Sequence, residues 1–189
     1  MNTSKAASLI FCSALVVVIN GAGSVVYGAK DPMVGGALMY PTKDIVDNAV
    51  NSADHTTLVA AVKAAGLVDT LKSPGPFTVF APTNEAFAKL PAGTVETLVK
   101  PENKDTLTKI LTYHVVAGRM SASDIQKQIK AGHGTATLKT VQGETLMAMM
   151  DGGKIVLKDQ KGGTAAITIP NVFQSNGVIQ VVDSVLMPN

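Results

Sequence analysis

Three histidines, His55, His114 and His133, are the side chains best suited to metal ligation or acid-base work near neutral pH. They stand far apart, and none forms a His-x-His, His-x-x-x-His or Glu-x-x-His pair that sets two ligands on one ion. The single cysteine, Cys12, lies in an apolar N-terminal run. No metal or cofactor is expected. Asp151-Gly152-Gly153 lacks the alternating carboxylates of a calcium loop, and no glycine pair leads into the Gly-Lys-Ser/Thr of a phosphate cradle. Ser175 in QSNG and Ser184 in DSVL are not nucleophile elbows. Asp124 and Asp183 read as capping and strand-edge residues rather than general acids or bases. These residues form no catalytic constellation, and a non-enzymatic chain is expected.

Two groups remain for recognition. His114 ends an apolar stripe with Leu107, Ile110 and Leu111, where a satisfied imidazole fixes the departure of the next strand. Met147 and Met149 share one face of a β-run, with Met150 opposite. Flexible thioethers there fill core gaps or line an apolar pocket.

The elements that position these groups follow from periodicity. Ile45, Val46, Ala49, Val50 and Ala53 mark a helix within 43–53, and Leu58, Ala61, Val62 and Ala65 a second, capped by Thr56 or Asp54 and stopped by Gly66. Leu67 to Leu71 adds a turn of helix. Pro74-Gly75-Pro76 ends the helical stretch, and Phe77 to Ala81 reads as a buried strand. Thr83 caps a helix over 84–90 that turns Ala86, Phe87 and Leu90 inward. Short helices follow over 94–99 and 102–113, then one over 121–129 capped by Ser121 or Ser123.

Beyond Gly118 the pattern is β-rich, with strands expected over 135–141, 144–150, 154–158, 165–169, 171–174 and 178–186. Gln142-Gly143, Asp151-Gly152-Gly153, Gly162-Gly163 and Asn176-Gly177 supply turn residues tolerant of positive φ. Helices first and hairpins later give an α+β class. No internal repeat is evident, so one domain is expected.

Three blocks carry a family resemblance. FTVFAPTNEAFAKL (Phe77 to Leu90) runs from a strand through Pro82 into a capped helix; Tyr113-His114 stands in LTYHVV; NVFQSNGVIQVVDSVLMP (Asn171 to Pro188) closes the chain. Together they resemble the fasciclin (FAS1) domain family, from about Tyr40 to Pro188. The resemblance implies a β-sandwich or wedge with helices packed over it, and pairing of the strand at Phe77 with the final strand. In animal members the Tyr-His motif is associated with integrin recognition, which maps to Tyr113 and His114 as partner-binding candidates. Gln180 departs from the family pattern NGVIHVID, replacing a histidine with an amide that does not titrate near neutral pH.

Composition bounds the setting. Lys5, the run Leu9 to Ile19 and the small residues after Asn20 read as an export signal, with cleavage expected after Gly28 rather than Gly23; the run is too short for a comfortable bilayer span, and an uncleaved anchor over Ala6 to Val26 is the alternative. Residues 29–40 read as a flexible leader and 41–189 as the fasciclin-like domain. The 16 basic residues include Lys5, so loss of the signal leaves 15 against 14 acidic ones. Such a balance, without a basic cluster, argues against nucleic acid. About 160 residues bury enough surface for one core without disulfides.

The expected function is that of a secreted, periplasmic or cell-surface adhesion module contacting an extracellular or envelope protein or polysaccharide. Two alternatives remain open. One is a carrier or sensor of a small apolar ligand, in a pocket between helices and sheet that uses Met147 or Met149. The other is a hydrolytic enzyme with a dispersed site.

Overall fold

The computed structural model describes residues 31–189; the expected export signal, its expected cleavage point and Cys12 lie outside the described residues. The chain opens with a hairpin of β1 (Met33–Val34) and β2 (Ala37–Leu38). A helical stretch follows, with α1 (Ile45–Ala49), α2 (Thr56–Ala65) and α3 (Val68–Lys72). Strand β3 (Phe77–Pro82) leads into α4 (Asn84–Ala88), α5 (Thr94–Leu98) and α6 (Lys104–Tyr113). Beyond β4 (Val115–Ala117) and α7 (Ala122–Ala131) come β5 (Thr135–Lys139), β6 (Thr145–Asp151), β7 (Lys154–Lys158), β8 (Thr164–Gln174) and β9 (Gly177–Val182).

Seven strands form one sheet in the order β4-β3-β9-β8-β7-β6-β5. A bridge between Val116 and Thr140, with the Val141 amide donating to the Val115 carbonyl at 2.7 Å, draws its two ends together. The sheet is therefore nearly closed, and the fold is α+β as expected. Strands β3 and β9 run parallel, from Phe77 opposite Gly177 to Pro82 opposite Val182. The pairing implied by the family resemblance is present.

The period-2 alternation of strands explains why β3 and β9 are apolar on both faces. Val79, Ala81, Ile179 and Val181 point into one hydrophobic body with α1, α2, α3 and α6. Phe80 and Val182 point into a second, inside the curled sheet under Ile125 and Ile129 of α7. Strands β5 to β7 carry the second body on one face only: Leu138, Leu146, Ala148 and Leu157 are buried, while Thr137 and Met147 are exposed.

Several elements differ from expectation for identifiable reasons. Residues 31–40, expected as a flexible leader, form the β1–β2 hairpin, with Val34 and Met39 buried in the first body. Its Gly35 (φ 57°) packs so closely on Ser52 that no side chain fits there. The segments 165–169 and 171–174 are one strand, β8, interrupted by bulges around Pro170, which has no ladder donor, and Asn171 at φ 61°. Helix α2 is not capped by Thr56 or Asp54, because a 3₁₀ turn over Ala53–His55 leads straight into it. The cap comes from α4, where Oδ1 of the Asn84 side chain accepts from the Thr57 amide at 3.0 Å.

The turn at Asn176-Gly177 also works differently. Neither residue has positive φ. Glycine is required because a Cβ on Gly177 would collide with the Phe77 carbonyl oxygen of the parallel strand. Asn176 is buried, accepts from the Ile45 amide at 3.0 Å, and donates to the carbonyls of Leu71 (2.7 Å) and Ser73 (3.1 Å). One side chain thus fastens the start of α1 and the end of α3 to the sheet.

Candidate functional site

Tyr113 and His114 sit where α6 hands the chain to β4. The backbone amide of His114 turns away from the Ile110 carbonyl to Leu111, closing the helix with a tighter turn. The imidazole replaces it: Nδ1–H donates to the Ile110 carbonyl at 2.8 Å. Nε2 then accepts from the Leu186 amide at 3.0 Å, which fixes the tautomer. Burial holds His114 below its ordinary pKa, against the opposing effects of the Ile110 carbonyl and of Asp159. The ring is therefore neutral at pH 7.

Tyr113 is fully buried, and its hydroxyl donates to the Thr145 carbonyl at 3.1 Å. Burial pushes its pKa up to about 12. Asp159 completes the junction, accepting from the amides of Gly163 (2.6 Å) and Met187 (3.0 Å). These three side chains lock the C-terminal segment, with Leu186 inserted into the second hydrophobic body, onto α6 and the sheet. With 0% and 3% of their surfaces exposed, Tyr113 and His114 offer an external partner almost nothing to touch.

The other sequence candidates separate in space. Met147 is exposed and Met149 half-buried, both on the outward face of β6; neither lines a cavity. A cavity lies instead within the first hydrophobic body. It measures about 70 Å³ and is bounded by Val34 and Met39 of the hairpin, Val46 of α1, Leu58 and Val62 of α2, and Ile179 of β9.

One polar pair reaches its wall. Ser52 Oγ lies 2.9 Å from Nδ1 of His55, and both residues are buried. The other ring nitrogen, Nε2, is buried with no hydrogen-bond partner. Burial lowers the His55 pKa, with the Ala81 carbonyl and the charge of Asp54 acting in the opposite sense. This pair is not arranged for nucleophilic catalysis. No acid orients the free nitrogen, and Ser52 Oγ is covered by Gly35. The sequence signal that could have found it is the Ser-x-x-His spacing, which one tight helical turn brings into contact.

The remaining polar candidates serve the fold. Asp124 and Ser121 form a reciprocal capping box at α7. Asp183 accepts from the Ala166 amide at 2.9 Å across β8 and β9. Gln180, fully buried, accepts from the Asn171 amide at 2.9 Å and donates to the Met120 carbonyl at 3.1 Å. An amide meets both demands at once without a charge state to manage. Among the described residues, no group of three or more His, Cys, Asp or Glu is placed to hold a metal ion, and no helix is long and apolar enough to cross a membrane.

Comparison with known proteins agrees with this architecture. A family model described as Fasciclin domain matches residues 53–188. Protein sll1483 of Synechocystis is 46% identical over 159 residues, covering 84% of this chain and 81% of its own. Immunogenic protein MPB70 of Mycobacterium bovis is 37% identical over 174 residues, covering 89% of this chain and 81% of its own. Cell surface glycolipoprotein MPB83 of the same species is 35% identical over 174 residues, covering 89% and 71%.

Among solved structures, a FAS1 domain pair from the insect cell adhesion molecule fasciclin I superposes with a TM-score of 0.68 at 19% identity. The match takes in 78% of this chain and about half (51%) of that one. The extent of the sequence match and the shared topology lead to one conclusion: the chain belongs to the fasciclin domain family.

Proposed function

We propose that this protein is an exported, non-enzymatic fasciclin module that contacts an extracellular or envelope protein or polysaccharide at the cell surface. The observation that carries this reading is its similarity, over 89% of the chain, to a protein named as a cell surface glycolipoprotein. The contact falls on the outward face of β5, β6 and β7 rather than on Tyr113 and His114, whose role is to hold the C-terminal segment in place. The strand register sets Thr137, Met147 and Lys158 in one row and Thr135, Met149 and Val156 in the next. A Met- and Thr-rich face bordered by lysine offers adaptable apolar contact with charge at its rim.

Beads coated with the protein should be retained on cells or envelope polysaccharide of the native host, and beads coated with a Met147→Glu/Met149→Glu variant of equal thermal stability should not. Equal retention of both forms, and of beads carrying an unrelated exported domain, would defeat the proposal.

A second reading has its own observation. The cavity under the hairpin supports a carrier or sensor of a small apolar ligand, with Met39 rather than Met147 or Met149 in the wall.

A further inference from the structure

We propose that Asn176-Gly177 is a self-modification site that the fold keeps closed: the unfolded chain loses ammonia there, and the product no longer returns to the native structure.

The sequence supplies the reactants. An asparagine followed by glycine can cyclise, because glycine has no side chain to shield its nitrogen from the preceding amide. Among the described residues, Asn176-Gly177 is the one such step. The Gly177 nitrogen attacks Cγ of Asn176, a new C–N bond forms, and the Cγ–Nδ2 bond breaks. The proton shed by the Gly177 nitrogen leaves with Nδ2 as ammonia. Water then opens the five-membered imide at either carbonyl, its oxygen staying on that carbon and a proton returning to the nitrogen. One opening leaves aspartate at 176. The other leaves isoaspartate, in which the main chain runs through Cβ and Cγ.

The native contacts oppose ring closure on both sides of the reacting bond. Oδ1 of Asn176 accepts from the Ile45 amide at 3.0 Å, and Nδ2 donates to the carbonyls of Leu71 at 2.7 Å and Ser73 at 3.1 Å. The side chain therefore reaches across to α1 and α3 instead of folding back on its own backbone. The main chain is held as well. The Asn176 carbonyl accepts from the Phe77 amide at 3.1 Å, and Gly177 lies between Phe77 of β3 and Gln174 of β8. Rotating this peptide toward the side chain breaks the sheet at the point where β9 begins.

Neither product fits the place that asparagine leaves. Aspartate has no hydrogens to donate when ionised, so its second oxygen meets the Leu71 and Ser73 carbonyl oxygens in a buried position. Lys72, beside Asn176, is already paired with Asp47 at 2.6 Å. Isoaspartate adds a carbon to the main chain and displaces the carbonyl that Phe77 uses. The strand has no slack to absorb it, because Gly177 packs so tightly on the Phe77 carbonyl that even a Cβ is excluded. Time spent unfolded thus becomes a permanent loss of native protein.

The test incubates the full chain at pH 8 and 37 °C, folded in buffer and unfolded in guanidinium chloride, and follows Asn176 by peptide mapping, which separates it from Asn20-Gly21 outside the described residues. Conversion to aspartate and isoaspartate at 176 should run at least twentyfold faster in the unfolded chain. After dilution from denaturant, the refolded fraction isolated by size exclusion should carry unmodified Asn176, and the modified chains should collect in the unfolded fraction. Asn176→Asp, which copies one product, should lower the urea midpoint or fail to fold.

Equal conversion rates in the two states would show that the native contacts do not close the site. Modified chains that refold as completely as unmodified ones would show that the product fits the fold. Either result overturns the proposal, as does a wild-type urea midpoint for Asn176→Asp.

Discussion

Replacing His114 with alanine probes the junction between helix and C-terminal segment most directly. The substitution removes a buried ring and both of its hydrogen bonds, stranding the Ile110 carbonyl and the Leu186 amide. Each orphaned group costs about 1–3 kcal/mol, and the space left by the ring adds a cavity term. A total loss of about 3–5 kcal/mol is a large share of the roughly 5–15 kcal/mol typical of a domain. For a chain of this length it lowers Tm by roughly 10 °C. The sequence contains no tryptophan, so urea unfolding is best followed by far-UV circular dichroism. The midpoint should fall with an unchanged m value, and the Leu186 amide should lose protection from hydrogen exchange. A loss below about 1 kcal/mol, or a Leu186 amide as protected as in the wild type, would refute the assignment of His114 as the clamp.

Acid should destabilise the fold in a defined window. Burial lowers the folded-state pKa of His55 and His114, so below about pH 6.5 the unfolded chain takes up protons that the native state excludes. Stability should be level above about pH 7.5 and fall below pH 6.5 by up to about 1.4 kcal/mol per pH unit for each histidine; an unchanged Tm between pH 7.5 and pH 5 would contradict this. Gln180→Leu should cost about 2–3 kcal/mol in urea unfolding, because it strands the Asn171 amide and the Met120 carbonyl, whereas Gln180→His should cost less. Gly177→Ala should lower stability by about 3 kcal/mol through its collision with the Phe77 carbonyl, and a wild-type melting curve would show that the two strands can separate freely.

Much of the architecture was legible because local and global preferences agree. The strand at Phe77 is apolar on both faces because it serves two hydrophobic bodies, and Thr83 caps α4 by accepting from the Ala86 amide at 3.3 Å. The glycines at 143, 152, 153 and 162 do occupy positive φ. What escaped prediction depends on contacts between distant residues. The β1–β2 hairpin has two-residue strands, too short for any alternation, and its inward residues declare themselves only once the helices are present. Asn84 sits in the first turn of α4, but its side-chain oxygen caps a different helix. Asn176 looked like a turn former, yet its side chain binds three backbone groups more than 100 residues away.

The site was less legible than the fold. Tyr113 and His114 stood out by family motif, and the apolar rule that places a helical stripe inward explains their burial better than recognition does. Met147 and Met149 were assigned to one face correctly, but that face is outside. The cavity brings together residues from Val34 to Ile179, a matter of three-dimensional fit that spacing along the chain does not encode.

The parallel register of Phe77 with Gly177 has a consequence for biosynthesis. The strand at the heart of the sheet is the last of the seven to be translated, and it contributes Ile179 and Val181 to one hydrophobic body and Val182 to the other. A nascent chain therefore lacks a strand shared by both native cores until β9 has emerged, and collapse to the final structure waits for it. Shortening the protein by its last dozen residues should not yield a smaller stable domain but none at all.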